Sequence, residues 1–113
     1  MENCLFCKII DGSIPSSIVY KDDDVIAFKD INPQAPVHIL VVPRKHIQCA
    51  ADPEAADGKM LSAVFSAIAK IAKENKLDNG FRIINNCGAD GGQTVPHLHF
   101  HLLGGRALGD KVV

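Results

Sequence analysis

The chain has 113 residues, 47% of them hydrophobic, and a formal net charge of −1. That is enough apolar sequence for one well-filled core, so residues 1–113 read as a single domain. The near-neutral balance, with no basic stripe and no acidic tail, argues against nucleic acid as a partner, and no apolar run is long enough for a membrane span.

The first residues, Met1 to Lys8, have neither a basic start nor a long apolar stretch. A secretory signal is therefore not expected, and the location that follows is the cytoplasm, where four cysteines serve as thiols or metal ligands more readily than as disulfides. Asn3 to Asp11 carries Leu5, Phe6, Ile9 and Ile10 at helical spacing, with Asn3 as N-cap and Gly12 as stop, and reads as a short helix. Pro15 returns the chain to extended form. Ser17 to Tyr20 and Val25 to Lys29 read as a hairpin around Asp22-Asp23-Asp24. Asp30 to Pro36 is a loop. Val37 to Pro43 is an apolar strand, buried on both faces, and His38 is its one polar interruption. On spacing alone, His38 reads as a satisfied core histidine. Arg44-Lys45-His46 forms a polar exit.

From Pro53 to Lys76 the period changes. Met60, Leu61, Val64, Phe65, Ile68, Ile71 and Ala72 recur at three and four residues, which predicts one long helix covering a sheet face. Asp78-Asn79-Gly80 turns the chain into a strand over Phe81 to Asn86 that ends in two amide side chains. A histidine-bearing strand follows, and Ala107 to Val113 carries no pattern. The predicted class is α+β, an antiparallel sheet of about five strands with one long and one short helix.

In that last strand His97, His99 and His101 alternate with Leu98, Phe100 and Leu102. Alternation places the imidazoles on one face, roughly 6–7 Å apart, and the apolar residues on the other. Gly88, Gly91 and Gly92 precede them, followed by Gln93 and Thr94. Glycines let backbone N–H groups approach a ligand, so the stretch reads as a phosphate pocket beside imidazole chemistry. The plainer alternative is a hairpin turn ahead of surface histidines.

These residues resemble the histidine triad (HIT) family, Hint branch. The likeness lies in His97-Leu98-His99-Phe100-His101-Leu102-Leu103, in Asp90-Gly91-Gly92-Gln93-Thr94 before it and in Leu103-Gly104-Gly105-Arg106 after it. It extends to Asp30 through Ile47 and to Phe6-Cys7-Lys8-Ile9-Ile10. The resemblance implies a HIT-like fold, two five-stranded sheets joined in a homodimer, and a purine nucleotide (AMP or GMP type) bound in each protomer. It implies hydrolysis of purine nucleoside 5′-phosphoramidates, or of aminoacyl-adenylate-like substrates, to a nucleoside monophosphate. By the same resemblance His99 is the nucleophile, joined by His101, His38 and Thr94. Gly92, Gln93, Thr94, Val95 and His101 lie around the phosphate, and Asp30 and Asn86 on the ribose side. Leu5, Phe6, Ile9, Phe28 and Ile31 form the apolar walls around the base. For His38 this reverses the expectation from spacing, while Asp30 keeps the alternative of a loop-capping aspartate.

The chemistry suits the residues. A neutral imidazole, with an ordinary pKa of about 6.5, is a good nucleophile near neutrality if its second nitrogen keeps a proton against a fixed acceptor. The main-chain carbonyl of His97 is the expected acceptor. Cys4-Leu5-Phe6-Cys7 can grip Zn²⁺, with His46 and His97 as the remaining ligands, a structural site that some bacterial-type HIT proteins resemble. Zinc is not required for the chemistry on this reading. Two small residues buried under a short helix are the alternative, and Cys49 and Cys87 have no assigned role. Two other functions compete: a metal-dependent hydrolase built on His97, His99 and His101, with or without His38, and a non-catalytic nucleotide-binding or scaffold protein. The chain departs from better-known Hint members in Thr94, where Ser is common, and in a short tail without Trp, which leaves the leaving group open.

Overall fold

A computed structural model describes residues 3–111. Met1, Glu2, Val112 and Val113, at the ends of the N-terminal segment and the tail, lie outside the described residues. Helix α1 spans Leu5–Ile10, and its N-cap is Cys4, whose Sγ accepts from the Cys7 amide at 3.4 Å. The expected cap, Asn3, lies one residue too early for that reach. Strands β1 (Ile18–Lys21) and β2 (Val25–Lys29) form the predicted hairpin, with a register irregularity between Ile18 and Tyr20. Asp22 closes its turn by accepting from the amides of Asp24 and Val25. Strand β3 is Val37–Pro43.

The long helix is shorter than the segment expected for it, Pro53 to Lys76, although it contains every apolar position from Met60 to Ala72. Pro53–Ala56 form a separate 3₁₀ turn, and α2 runs Gly58–Glu74. Asp57 is the break: its backbone is extended (φ −64°, ψ 113°), and its carboxylate caps the Lys59 amide. Strand β4 is only Arg82–Ile84.

Strand β5 is Phe100–Gly104, so His97 and His99 precede the ladder instead of lying in it. The cause is local. Pro96 has no N–H to offer a ladder, the His97 amide turns back to Val95 O at 2.8 Å, and the Leu98 amide is taken by Ile47 O at 2.6 Å.

All neighbouring strands pair antiparallel in the order β1-β2-β3-β5-β4, as expected for an α+β sheet. The two faces differ. Val25, Ala27, Ile39, Val41, Phe100 and Leu102 face α2, which buries Met60, Val64, Ala67, Ile68, Ile71 and Ala72 against them. Each of the larger of these side chains, the valines, isoleucines, Leu102, Met60 and Phe100, contributes roughly 1.5–3 kcal/mol through burial. Phe65 sits at the margin, half exposed, with its ring 6.2 Å from that of Phe100. On the opposite face Ile26, Phe28, Leu40 and Val42 pack under Phe6 and Ile9 of α1. His38 pairs with Leu103, Leu40 with His101, and Ile84 with His101, so both histidines share the α1 face. No described helix is long and apolar enough to cross a membrane.

Leu102 is fully buried in the middle of the α2 face. Leu102→Ala should therefore cost about 2–5 kcal/mol, read as a shift of the urea midpoint at constant slope. An unchanged midpoint would mean this face is not the core.

Candidate active site

Three imidazoles and one carbonyl define the centre. The Nδ1–H of His99 donates to the main-chain oxygen of His97 at 2.7 Å. That bond fixes the tautomer and leaves Nε2 with its lone pair. Among the described residues His99 Nε2 has no hydrogen-bond partner, and because no fully buried side-chain nitrogen or oxygen lacks one, the atom is open to a reactant. Phe6 stands edge-on to the His99 ring at 5.0 Å, which restricts its rotation. On the other side of the peptide, Asn85 Nδ2 donates to His99 O at 2.8 Å.

His38 and His101 form a directed pair. The Gln34 amide donates to His38 Nδ1 at 3.0 Å, so neutral His38 carries its proton on Nε2. That nitrogen lies 2.9 Å from His101 Nδ1 and 3.4 Å from Asp30 Oδ2. His101 Nδ1 accepts, which places the His101 proton on Nε2. The His101 and His99 rings are 5.1 Å apart. A lone pair on one imidazole thus faces the same space as an N–H on its neighbour. Both groups are held neutral: burial pushes the His101 pKa down to about 4 and lowers that of His99, against which the bond to His97 O acts only in part.

His97 belongs to a different cluster. Its Nδ1 lies 3.4 Å from Cys4 Sγ, 3.5 Å from Cys7 Sγ and 3.2 Å from His46 Nδ1, and Cys7 Sγ is 3.3 Å from His46 Nδ1. Its Nε2–H donates to Pro43 O at 2.8 Å, which turns the Nδ1 lone pair toward the thiols. A tetrahedral ion of zinc's size separates sulfur and nitrogen ligands by about 3.5 Å and two nitrogens by about 3.3 Å. The four donors therefore fit such an ion. Burial, with the neighbouring Cys4, pushes the Cys7 thiol up to about 11, and burial pushes His97 down to about 4. A neutral His97 is already in ligand form, and a cation would reverse the penalty on the thiolate. The His97 ring thus faces Cys4, Cys7 and His46, whereas His101 groups with His38 and Asp30, so the three histidines of the strand do not converge on one point.

A model of the HIT domain matches residues 11–108. The chain belongs to the HIT domain family. A purine nucleoside phosphoramidase of Escherichia coli strain K12 is 48% identical over 109 residues, covering 96% of this chain and 92% of that protein. A histidine triad protein from Clostridium difficile superposes with a TM-score of 0.93 at 52% identity, covering 98% of this chain and 97% of its own. A HIT family hydrolase from Clostridium thermocellum gives 0.95 at 46%, covering 100% and 99%. The protein is a HIT family hydrolase.

Within this HIT domain the glycine loop works differently from the sequence expectation. The amides of Gly91 and Gln93 donate to Gly88 O, and that of Gly92 to Ala89 O, so they close the turn. A Cβ at Gly91 would collide with the Cys87 carbonyl, and Gly92 has φ +81°. Gln93 is likewise spent on the loop: Oε1 accepts from the Gly88 amide, while Nε2 donates to Gln48 O and Val95 O. The direct phosphate contact expected of Gln93 thus becomes a supporting role. Between Gly88 and Val95 the amides of Ala89, Asp90, Thr94 and Val95 have no acceptor among the described residues, and of these Thr94 and Val95 stand next to the histidine segment in sequence. Phe6, Ile9 and Phe28 are buried, whereas Leu5 is 43% and Ile31 98% exposed, so the last two offer the open apolar surface. Asn86 lines a cavity beside His101. Asp30 both caps its loop, at the Asn32 amide, and reaches His38. Sequence reasoning assigned no role to Asn85, Gln34 or Pro43, because each acts through a contact between segments distant in the chain.

The titration of His99 and His101 has a consequence for stability. Below their ordinary pKa of 6.5 the unfolded chain binds protons that the folded one refuses. Their contribution is complete above that value and should be lost as pH falls from 6.5 toward 4. Urea midpoints across this window should decline, with a shallower slope in His101→Asn. A midpoint that stays level in wild type would contradict the buried neutral pair.

Proposed function

We propose that the protein hydrolyses purine nucleoside 5′-phosphoramidates, or aminoacyl-adenylate-like compounds, through a covalent nucleotidyl-His99 intermediate. The observation that carries this reading is the 2.7 Å bond from His99 Nδ1 to His97 O, which leaves an unpartnered nucleophilic Nε2. The name of the Escherichia coli relative supports the substrate class.

In the first step the His99 Nε2 lone pair forms a bond to phosphorus, and the phosphorus–amine bond breaks with its electron pair on the leaving nitrogen. That nitrogen takes a proton from His101 Nε2–H or the Thr94 hydroxyl and departs as the amine. His38 Nε2–H donates to His101 Nδ1 at 2.9 Å, and the Gln34 amide holds His38 in turn, so the His101 proton is kept on Nε2, facing the leaving nitrogen, and once given up is returned by water in the second step. In the second step water attacks phosphorus, a proton returns to the donor, and His99 is released with the nucleoside monophosphate. One hard displacement becomes two easier ones. The amides of Thr94 and Val95 supply donors for the phosphoryl oxygens. Asp30 and Asn86 take the ribose side, and Leu5 and Ile31, backed by Phe6, Ile9 and Phe28, take the purine.

Cys4, Cys7, His46 and His97 are proposed to hold a structural Zn²⁺, consistent with the four converging donors. The ion would crosslink α1 to the segment before β5 and take no part in the displacement. The chain is proposed to act as a homodimer that joins two sheets into ten strands; the short edge strand β4, with exposed Phe81 and Phe65 nearby in the fold, supports such a contact. Free thiols at all four cysteines accord with a cytoplasmic location.

The test is release of AMP from adenosine 5′-phosphoramidate. Wild type should turn over with and without a strong chelator, and His99→Ala should lose at least about a thousandfold. Turnover surviving in His99→Ala would refute the nucleophile. Wild type denatured at alkaline pH during turnover, which preserves the acid-labile phosphorus–imidazole bond, should carry a nucleotidyl group by intact mass. Elemental analysis should find one zinc per chain, lost in Cys7→Ser; a metal-free wild type would leave the cluster a set of thiols and imidazoles.

A further inference from the structure

His99 stands one residue outside the sheet. The β3–β5 pairing stops at Val41 opposite Phe100, and the β4–β5 pairing stops at Ile84 opposite His101. The ladder that orders His101 does not reach His99, so other groups must hold its backbone.

On the N-terminal side the hold is the peptide between His97 and Leu98. Its N–H donates to Ile47 O at 2.6 Å, and its oxygen accepts from the His99 ring at 2.7 Å. On the C-terminal side it is the peptide between His99 and Phe100, whose oxygen accepts from Asn85 Nδ2 at 2.8 Å. Asn85 follows Ile84, the last residue of β4, where main-chain pairing with β5 has ended. Its side-chain amide supplies one more rung where the backbone no longer does.

The bond acts on one torsion. The orientation of the His99 carbonyl is the ψ angle of His99, and ψ sets the direction of the Cα–Cβ bond relative to β5. A carbonyl that swings carries the imidazole with it. Phe6, edge-on at 5.0 Å, restrains the ring but not the backbone beneath it. Asn85 makes its contact away from the reacting groups. Arg82, Ile84 and Asn86 border the cavity on the histidine face, whereas Ile83 packs against the α2 core. Asn85 falls with Ile83 in that alternation and does not border the cavity.

We propose that Asn85 is a positioning residue: its hydrogen bond to His99 O fixes the His99 backbone and keeps Nε2 in line with phosphorus. The inference rests on His99 as the nucleophile and adds a residue to that reading. Reacting atoms must meet within about 3–3.5 Å and in line, so a small displacement slows bond formation and leaves ground-state binding unchanged. A side chain that only closed the end of β4 would move the urea midpoint and not the rate of the folded protein.

The experiment measures kcat and KM for adenosine 5′-phosphoramidate, and the Kd of AMP, in wild type, Asn85→Val and Asn85→Asp, under conditions where urea titration shows each to be folded. Asn85→Val has nearly the same shape and no donor; its kcat should fall about tenfold, with KM and Kd within about twofold of wild type. Asn85→Asp should fall further near neutral pH, where a carboxylate opposes the carbonyl. Its neutral form can donate to that carbonyl and is favoured by doing so. The kcat of Asn85→Asp relative to wild type should therefore climb as pH falls, while that of Asn85→Val stays level. Asn85→Asp keeps the size and polarity of the side chain, so it carries the test where Asn85→Val does not fold. A kcat within about twofold of wild type in the folded variants overturns the proposal. So does a loss confined to KM, which would put Asn85 against the ligand. Wild-type turnover with unaffected variants removes only this role; no turnover by wild type removes the phosphoramidase reading and the role with it.

Discussion

His97 is the residue on which the other parts depend. Its ring is gripped by two thiols and a second imidazole, its far nitrogen by Pro43 O, its amide by Val95 O, and its carbonyl by the His99 ring. One buried peptide unit thus joins the N-terminal helix, the end of β3 and the reactive imidazole. A carbonyl that accepts a ring N–H fixes which nitrogen is nucleophilic only if the carbonyl itself cannot swing. Here it cannot, because the side chain on the same Cα is pinned on two sides. The orientation of the His99 ring is therefore held in part by a cluster on the far side of His97.

The two sheet faces follow from simple alternation, and most of that was legible in the sequence. Strands β2 and β3 lie where hydrophobic pattern and turn residues placed them, because Asp22 and the prolines around residue 35 leave little choice of boundary. The misplacements share one cause. At Asp57, at Pro96 and at Cys4 a single side chain or missing N–H set the boundary, which the spacing of apolar residues does not mark. Periodicity reports which side chains face a core. It does not report where the hydrogen-bond ladder stops.

The site was legible as a list of residues and much less so as a set of roles. His99 and His97 O were expected to meet, and they do. The spacing of His97 and His101 about His99 is symmetrical in the sequence, yet one ring joins the cysteines and the other joins His38. Gln93 looked like a ligand group and proved to be a staple across its own loop. Asn85, by contrast, looked like the end of a strand and holds the His99 carbonyl. No local pattern separates these outcomes, because each depends on which distant segment the fold brings within 3 Å.

The pairing of β3 with β5 carries an implication for how the chain avoids wrong structures. His38 opposes Leu103 and Leu40 opposes His101, with the Ile39–Leu102 pair between them on the other face, so imidazole and leucine change places across the strands from one same-face pair to the next. A slip of one residue between them would drive an imidazole into the dry layer beneath α2 and expose a leucine in its place. Such an error is expensive at once, long before any substrate arrives. The imidazoles of His38 and His101 therefore also help to set the register of the sheet, because only one alignment keeps both out of the α2 layer.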